Sequence, residues 1–244
     1  MSWLAGDAAA NHAAGEGRIE NIRKRKTRTI PDEKQRLVAL HHHENEFYTQ
    51  GYRLIAGVDE AGRGPLAGPV VVAAVILPVE CRIPGLNDSK KLSAKQRTTL
   101  YTSICSQAIA VQCTMIDAAQ IDRVNIYQAT LQGMYAVLAA LRPSPDAALI
   151  DAMPLRNLTI PHLSLIHGDA LSASIAAASI IAKVERDRFM EELDTQYPEY
   201  GFSQHKGYGT PAHLAALHQH GPCPIHRRSF SPVKSWGALF DENY

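Results

Sequence analysis

The sequence has few of the features that would narrow its function at once. Only 7% of its 244 residues are aromatic, the formal net charge is +1, and there are four cysteines. No two of these cysteines form a C-x-x-C pair, which argues against a structural zinc site. Because the net charge is so small, any contact with phosphate must come from a local basic stripe rather than from the whole surface.

Long apolar runs are also missing. No segment reaches the roughly 18 uncharged apolar residues of a membrane span. Residues 1–17 lack the basic start and the continuous apolar run of a secretory signal. With free thiols and no targeting segment, we expect a cytoplasmic protein with no membrane partner. We also expect a monomer. A hydrophobic content of 45% is ordinary for a globular protein, so one sizeable domain can form its own core.

The N-terminal fifth of the chain differs from the rest. Residues 1–30 are predicted to be a flexible extension. Its basic run from Arg23 to Arg28 is either a solvated tail or a nonspecific phosphate contact. Residues 31–50 are predicted to form a helix that Pro31 opens. We interpret its run His41-His42-His43 as surface, because three consecutive helical residues point in different directions and cannot form one ligand set.

The remaining chain alternates between strands and helices. Predicted strands are RLIAGVDEA, PVVVAAVILP, AVQCTMID, DAALIDAM and HLSLIHGD, and the longest predicted helix is ALSASIAAASIIAKVERDRFMEELDTQY. This alternation predicts an α/β fold over residues 51–234, with one sheet flanked by helices. Residues 235–244 are predicted to be a C-terminal tail.

Acidic residues end three of the predicted strands: Asp59 and Glu60 the first, Asp151 and Asp169 two later ones. Each alone has an ordinary explanation, as a polar turn, a strand end or a helix N-cap. Together they lie where α/β folds build their sites, beyond the carboxyl ends of strands. They also follow apolar runs, next to which an unpaired charge is costly.

Clustered carboxylates repel and raise each other's pKa unless cations neutralise them. Oxygen ligands select hard cations such as Mg²⁺ or Mn²⁺. Two such ions can activate water and stabilise the attacking and leaving oxygens of phosphodiester cleavage. Asp59 and Glu60 can share this site only if the chain bends, and Gly62 and Gly64 supply that freedom.

The segment GVDEAGRGPLAGPVVVAAVIL closely resembles the signature of the ribonuclease HII family. The resemblance continues, in order, through GLNDSKKLSAKQR, IDRVNIYQAT, SIAAASIIAKVERD, FSQHKGYGTPAHLAAL and IHRRSFSPV, and covers residues 34–234. It implies a ribonuclease H-like fold, which is a mixed sheet with helices on both sides, plus a small C-terminal helical part.

The resemblance also implies an activity. The expected enzyme is an endonuclease that hydrolyses the RNA strand of RNA–DNA hybrids and cuts 5′ to single ribonucleotides in duplex DNA. Two-metal-ion catalysis by Mg²⁺ or Mn²⁺ would leave 3′-hydroxyl and 5′-phosphate ends. Its expected role is the removal of ribonucleotides and replication primers from DNA.

Individual roles follow from the same resemblance. The metal-binding, catalytic acids are Asp59, Glu60, Asp151 and Asp169. The backbone of Gly62, Arg63 and Gly64 contacts the 2′-hydroxyl, and Tyr208 senses the RNA–DNA junction. The phosphate contacts are Asn87, Lys90, Lys183 and Arg186. From the residues alone, Lys183 and Arg186 could be a solvated helix face, which is the commoner case for such a pair. His167 stands where the family often has Lys.

Two other function classes stay open. An integrase or resolvase of the same superfamily shares the clustered acids but lacks the Gly-Arg-Gly and Lys-Gly-Tyr-Gly motifs. A non-enzymatic RNA-binding module would carry a basic or aromatic surface without strand-end acids. Cleavage of a duplex with one ribonucleotide, with Mg²⁺ or Mn²⁺ and then with EDTA, separates the three.

Overall fold

The computed structural model describes residues 32–240, with side chains to residue 236. The basic run predicted within residues 1–30 lies outside this range. The predicted helix at 31–50 is two helices, α1 (Glu33–Leu40) and α2 (His42–Thr49). The break is at His41, whose φ of −94° and ψ of 13° leave the helical region.

Five strands form one mixed sheet, in the order β3-β2-β1-β4-β5. The strands are β1 (Ile55–Ala61), β2 (Val70–Ile76), β3 (Ala110–Ile116), β4 (Ala147–Asp151) and β5 (His162–Leu165). The pairs β1/β2 and β2/β3 are antiparallel, whereas β1/β4 and β4/β5 are parallel. The α/β prediction, with a mixed sheet, is confirmed. Because β1 and β4 are parallel, their carboxyl ends meet at one edge of the sheet.

Seven further helices complete the described chain: α3 (Ala94–Gln107), α4 (Ala118–Val124), α5 (Ile126–Ala140), α6 (Ala173–Gln196), α7 (Phe202–His205), α8 (Pro211–His220) and α9 (Val233–Phe240). Sequence predicted one helix across α4 and α5. Asn125 separates them because its φ is 70°, and its side chain caps α5 by accepting from Gln128 N.

The C-terminal prediction needs a correction. Helix α9 runs into the stretch predicted as a tail, residues 235–244. Its Val233 is buried against Leu66 and Leu217, and Trp236 packs on the same cluster. Apolar burial therefore orders the start of this segment. None of the helices in the described range is both long and apolar enough to cross a membrane.

The sheet is covered on both faces, and β2 shows how. Its seven residues are all buried, and alternate side chains face opposite layers. Val71 and Val75 share a cluster with α6, whereas Val72 and Ile76 share one with α5. Helix α6 lies directly on β1, where a Cβ at Gly57 would be 2.0 Å from the Ser174 carbonyl carbon. This close contact fixes the start of α6 against the strand that carries Asp59.

Candidate active site

Two of the predicted acids lie side by side at the sheet edge. Val58 of β1 is in register with Ile150 of β4, so Asp59 and Asp151 follow on neighbouring parallel strands. Asp59 is 3% exposed and Asp151 is half-buried. Both line a cleft of about 240 Å³. The topology therefore brings together two carboxylates that are 92 positions apart in the chain.

Glu60 also lines this cleft, although it is the neighbour of Asp59 on the strand. The chain turns directly after it, at Gly62, whose φ is +93°. Arg63 donates to Glu60 Oε1 at 3.3 Å, and the Glu60 amide donates to Asp59 Oδ1 at 2.7 Å. These bonds hold adjacent carboxylates toward one space, as the bend predicted from the glycines requires.

Asp169 is not among the residues that line this cleft, and its place in the chain differs from the one predicted. Strand β5 ends at Leu165, and Asp169 lies in a 3₁₀ turn, Gly168–Ala170, before α6. The turn begins after His167, whose φ is 59°. The N-cap of α6 is Ser172, which accepts from Ile175 N. Asp169 is thus neither a strand end nor that helix's cap.

The turn is attached to the other acids. The Gly168 amide donates to Asp151 Oδ1 at 2.7 Å, and Lys90 donates from Nζ to Asp169 Oδ2 at 3.2 Å. Asp169 is 4% exposed, so its carboxylate is shielded from solvent, and Lys90 is a charged partner for it. Three of the four acids therefore line the cleft, and Asp169 is linked to it through Lys90 and through the turn that bonds Asp151.

The acids carry more negative charge than the protein neutralises. Burial raises the pKa of Asp59 well above its usual range, and the charges of Glu60 and Asp151 add to the effect. Burial also raises the pKa of Glu60, and the negative charge of Asp151 raises it further. Burial likewise raises the pKa of Asp151, and the negative charge of Asp169 adds to that shift. Asp59 Oδ2 and Glu60 Oε2 are buried without any hydrogen-bond partner among the described residues. Glu44 Oε2 and Asp194 Oδ1 also lack a partner within the described range, but at the cleft such oxygens come from two adjacent acids beside a third, Asp151. An all-oxygen donor set of this kind suits Mg²⁺ or Mn²⁺.

The acids are spread more widely than the ligand shell of a single ion. In the described part of the chain, the one set of three ligating side chains with all ligand atoms within 4.8 Å is His42, His43 and Glu46. A wider spacing reduces the mutual repulsion of like charges. A wider set of carboxylates is also what two ions, roughly 3.5–4 Å apart, would need.

The histidine run differs from its prediction. His41 is buried, 2% exposed, with Nδ1 bonded to Leu37 O at 2.8 Å, so only part of the run is surface. His42 and His43 both approach Glu46, at 3.5 and 3.1 Å. Three consecutive histidines do not form a ligand set, as expected, but two of them share a glutamate one turn away. These pairings lie on α2, outside the cleft lining.

Most of the predicted substrate contacts border the same cleft. Gly62, Arg63, Gly64, Lys90, Lys183 and Tyr208 all line it. Tyr208 is 44% exposed, and Lys183 Nζ lies 6.0 Å from its ring centroid. Lys183 also donates to Asp187 at 2.7 Å. Asn87 is not part of the lining; its side chain accepts from Asp88 N at 2.9 Å, just before the 3₁₀ turn that carries Lys90.

Arg186 requires a correction. It is fully buried, and its guanidinium donates to the carbonyls of Pro69, Lys206 and Ala67 at 3.0, 3.0 and 3.2 Å. A phosphate contact needs donors that face the cleft, whereas these point into the protein. The spacing from Lys183 placed both residues on nearby parts of one helix, but the neighbouring loops cover Arg186 alone.

Sequence reasoning missed three residues around the site. Arg227 is fully buried and donates to the Gly62 and Arg63 carbonyls at 2.6 and 2.9 Å. Ser179 lines the cleft and shares a 2.8 Å hydrogen bond with Ser89. Glu44 of α2 accepts from Ser172 Oγ at 2.6 Å, just after the Asp169 turn. The sequence signal for two of them was membership of the segments that carry the resemblance: Ser179 lies in SIAAASIIAKVERD and Arg227 in IHRRSFSPV.

Comparison with known proteins is consistent with this geometry. A family model described as ribonuclease HII matches residues 56–233. The ribonuclease HII of Enterococcus faecalis is 59% identical over 191 residues, covering 78% of this chain and 74% of that protein. That of Geobacillus thermodenitrificans is 55% identical over 201 residues, covering 82% and 77%. The crystal structure of ribonuclease H2 from Pyrococcus horikoshii OT3 matches with a TM-score of 0.67 at 27% identity, covering 78% of this chain and 99% of that one. The family match includes every residue that lines the cleft.

Proposed function

The chain belongs to the ribonuclease HII family of endonucleases, which act on RNA in RNA–DNA hybrids, and from this premise we propose that it also cuts 5′ to a single ribonucleotide within duplex DNA. The products carry 3′-hydroxyl and 5′-phosphate ends. The reaction uses two Mg²⁺ or Mn²⁺ ions. The role that follows is the removal of ribonucleotides and replication primers from DNA.

One observation carries the proposal: Asp59 and Glu60 bury carboxylate oxygens that have no partner among the described residues, at the edge where Asp151 also ends a strand. A structural ion pair would have provided each acid with a basic partner. Here Arg63 pairs with Glu60 and Lys90 with Asp169, whereas Asp59 and Asp151 have no basic partner among the described residues. Burial also disfavours the charged form of Asp59, Glu60 and Asp151. Ionised carboxylates are therefore unfavourable in this site without a counter-ion, and bound cations would stabilise them.

We assign the ion ligands to Asp59, Glu60, Asp151 and Asp169. When bound, two divalent ions would lower the pKa of a water and stabilise the charge that develops on the phosphate oxygens. The contribution of the chain itself is to hold the ligands ready. Arg63 orients Glu60, the Gly168 amide orients Asp151, and Lys90 orients Asp169. Preorganised ligands reduce the rearrangement needed when substrate arrives.

The substrate contacts follow from the cleft lining. The 2′-hydroxyl distinguishes a ribonucleotide from its DNA neighbours and can both donate and accept. We assign its recognition to the backbone of Gly62, Arg63 and Gly64. The exposed ring of Tyr208 packs on the sugar of the deoxy side of the junction, where the missing hydroxyl leaves room. Lys183 and Lys90 supply positive charge to the adjoining phosphates.

The test is cleavage of a labelled DNA duplex that contains one ribonucleotide, with Mg²⁺ or Mn²⁺ and then with EDTA. We expect one cut, 5′ to the ribonucleotide, that EDTA abolishes. An all-DNA duplex is the control for a general nuclease. Absence of cutting with either ion, or equal cutting of the all-DNA duplex, would refute the proposed function.

A further inference from the structure

The loop from Gly62 to Pro69 has a marked polarity. Its carbonyls point into the protein: those of Gly62, Arg63, Leu66, Ala67, Gly68 and Pro69 all accept hydrogen bonds from buried donors. The amides of Gly62, Arg63 and Gly64, by contrast, donate to no other group among the described residues. In a trans peptide the N–H points away from the preceding C=O, so the Arg63 and Gly64 amides point away from the buried carbonyls of Gly62 and Arg63. These residues line the cleft, and such free amides are suited to bind an acceptor there.

Two buried arginines produce this polarity. Arg227 donates to the carbonyls of Gly62, Arg63 and Gly68, at 2.6, 2.9 and 3.0 Å. Its own amide donates to Leu66 O at 2.8 Å. The planar guanidinium carries donors on all three nitrogens, so one side chain can reach three carbonyls at fixed angles. A lysine could not make the same set of bonds.

Arg186 supports the loop from the other side. It donates to the carbonyls of Ala67 and Pro69 and also to that of Lys206, next to the Gly207-Tyr208 pair. There is no spare room between it and the loop, since a Cβ on Gly62 would be 2.0 Å from Arg186 Nε. Arg186 thus ties the segment that carries the free amides to the segment that carries Tyr208.

All six hydrogen bonds of the two guanidinium groups, three each, go to main-chain carbonyls. Both side chains are fully buried, and burial followed by the charge of Arg186 lowers the pKa of Arg227 to about 9. Burying two cations that repel one another is unfavourable in free energy, so packing alone does not explain them. An apolar side chain would fill it at lower cost but would leave the carbonyls without donors and free to turn.

We propose that Arg186 and Arg227 are positioning residues, which hold the carbonyls of the loop inward so that the amides of Arg63 and Gly64 face the ribonucleotide. The inference rests on the proposed function. The two arginines do not touch the substrate. They set the direction of the groups that read its 2′-hydroxyl, and so they determine the preference for ribonucleotide over deoxynucleotide.

The test compares the affinity for a one-ribonucleotide duplex with that for the matching all-DNA duplex, by fluorescence anisotropy, with Ca²⁺ replacing Mg²⁺ to prevent cutting. Arg227→Lys keeps the charge but loses most of the carbonyl contacts. We expect it to reduce the affinity ratio about fivefold, equivalent to one net hydrogen bond. Mn²⁺ binding, measured by titration calorimetry, should not change, because the acids do not contact Arg227.

A matched control removes a buried hydrogen bond in the same C-terminal part without affecting the loop. Tyr200 is 5% exposed and donates from its hydroxyl to Gly221 O at 2.7 Å, so Tyr200→Phe lowers stability through a lost bond elsewhere. We expect Tyr200→Phe to lower the melting temperature and to leave the affinity ratio intact. Arg186→Lys provides the same measurement if Arg227→Lys does not fold.

The outcomes separate the two levels of the argument. If the wild type cuts at a ribonucleotide, and the folded lysine variant lowers stability but keeps the wild-type affinity ratio, the arginines only pack the loop and the inference is wrong. If the wild type cuts no ribonucleotide-containing duplex, the proposed function fails and this inference fails with it. A ratio that falls in the lysine variant but not in Tyr200→Phe supports the positioning role.

Discussion

Two buried clusters of titratable groups in this chain are stabilised in opposite ways. Among the described residues, two acids at the sheet edge have carboxylate oxygens without a hydrogen-bond partner, and burial and mutual repulsion raise the pKa values of the acids. A second cluster, His205, His213 and His226, lies in the C-terminal helical part. Its members are neutral, and every ring nitrogen has a partner. A buried cluster whose polar atoms all have hydrogen-bond partners requires no ligand. A buried cluster that leaves polar atoms without partners is suited to bind one.

The bonding of the histidines shows why they are neutral. His213 donates from Nδ1 to Tyr208 O at 2.9 Å, and His226 donates from Nε2 to His213 Nε2 at 3.1 Å. His226 Nδ1 then accepts from Cys223 N at 3.0 Å. The carbonyl can only accept and the amide can only donate, so the tautomers along this chain are determined. His205 is bonded in the same way, between Tyr200 O and Gly207 N.

The largest effect is expected from removing a charge in the acid cluster. Asp59→Asn or Asp151→Asn should reduce cutting by on the order of a hundredfold or more, because a neutral amide is a poor ligand for a hard cation. Without metal, the melting temperature should stay the same or rise, since one source of repulsion is gone. Cleavage assays and thermal unfolding measure the two effects.

A suitable control is Asp117→Asn. Asp117 is an exposed N-cap that accepts from Gln120 N at 2.7 Å, and asparagine caps equally well. It should leave both activity and stability unchanged. Near-normal cutting by both acid variants at saturating Mg²⁺ would show that these carboxylates do not hold the ions.

The histidine cluster should respond to pH with the opposite sign to the acids. Burial, followed by the charge of His213, lowers the pKa of His226 from 6.5 to about 4. The unfolded chain therefore binds the proton first as pH falls, and stability is lost between about 6.5 and 4, by on the order of 3 kcal/mol. The acids have raised pKa values in the folded state, so over the acidic range they contribute stability that increases as pH falls.

The two contributions can be separated by denaturant unfolding at several pH values, with wild type beside His226→Gln. The variant cannot acquire the proton, so its stability should fall less than that of the wild type between neutral and acidic pH. Parallel curves for the two proteins would mean that His226 is not the source of the acid sensitivity.

Tyr208 belongs to both regions, because its ring lines the cleft and its carbonyl is held by His213. Tyr208→Ala should lower cutting at a single ribonucleotide about tenfold, the value of one stacking contact. Cutting within several consecutive ribonucleotides should fall less, and Mn²⁺ affinity should not change. Tyr127→Ala, which removes a tyrosine of similar exposure on α5, is the matched control. Unchanged single-ribonucleotide cutting would remove the junction-sensing role and leave the acid site untouched.

The smallest effect is expected at Lys183, a cation that borders the acids. Burial lowers its pKa, although Asp187 acts against this. Lys183→Ala should reduce the slope of log affinity against log salt by about 0.9, the contribution of one phosphate contact. Lys95→Ala, at an exposed position of α3, should not change the slope. An unchanged slope for Lys183→Ala would make this lysine a partner of Asp187 only.

The strands were predictable because buried strands appear in the sequence as short apolar runs. The acids that end these runs were predictable for the same reason. Asp59 and Asp151 follow apolar runs, and parallel pairing of their strands brings them together. The break between α4 and α5 was not predicted, since it depends on the left-handed φ of a single asparagine, Asn125. Local pattern therefore predicted which elements exist better than where they stop.

The roles of the two arginines could not be predicted in the same way. Lys183 and Arg186 are both charged and lie three positions apart, yet one borders the cleft and the other is enclosed. The difference comes from loops remote in sequence, around Ala67 and Lys206, that close over Arg186. Arg227 lies even farther along the chain from the glycines whose carbonyls it binds. Tertiary packing decides whether a charged side chain faces solvent or main chain, and this packing is not visible as a periodic pattern in the sequence.

Gly57 is a position at which substitution would disturb the site, although the residue has no charged or polar side chain. Helix α6 rests on bare backbone there, with no clearance for even a methyl group. Any larger residue would act as a wedge between the strand that ends in Asp59 and the helix that follows Asp169. A survey of inactivating variants confined to polar residues would miss this position, although the placement of Asp59 relative to α6 depends on it.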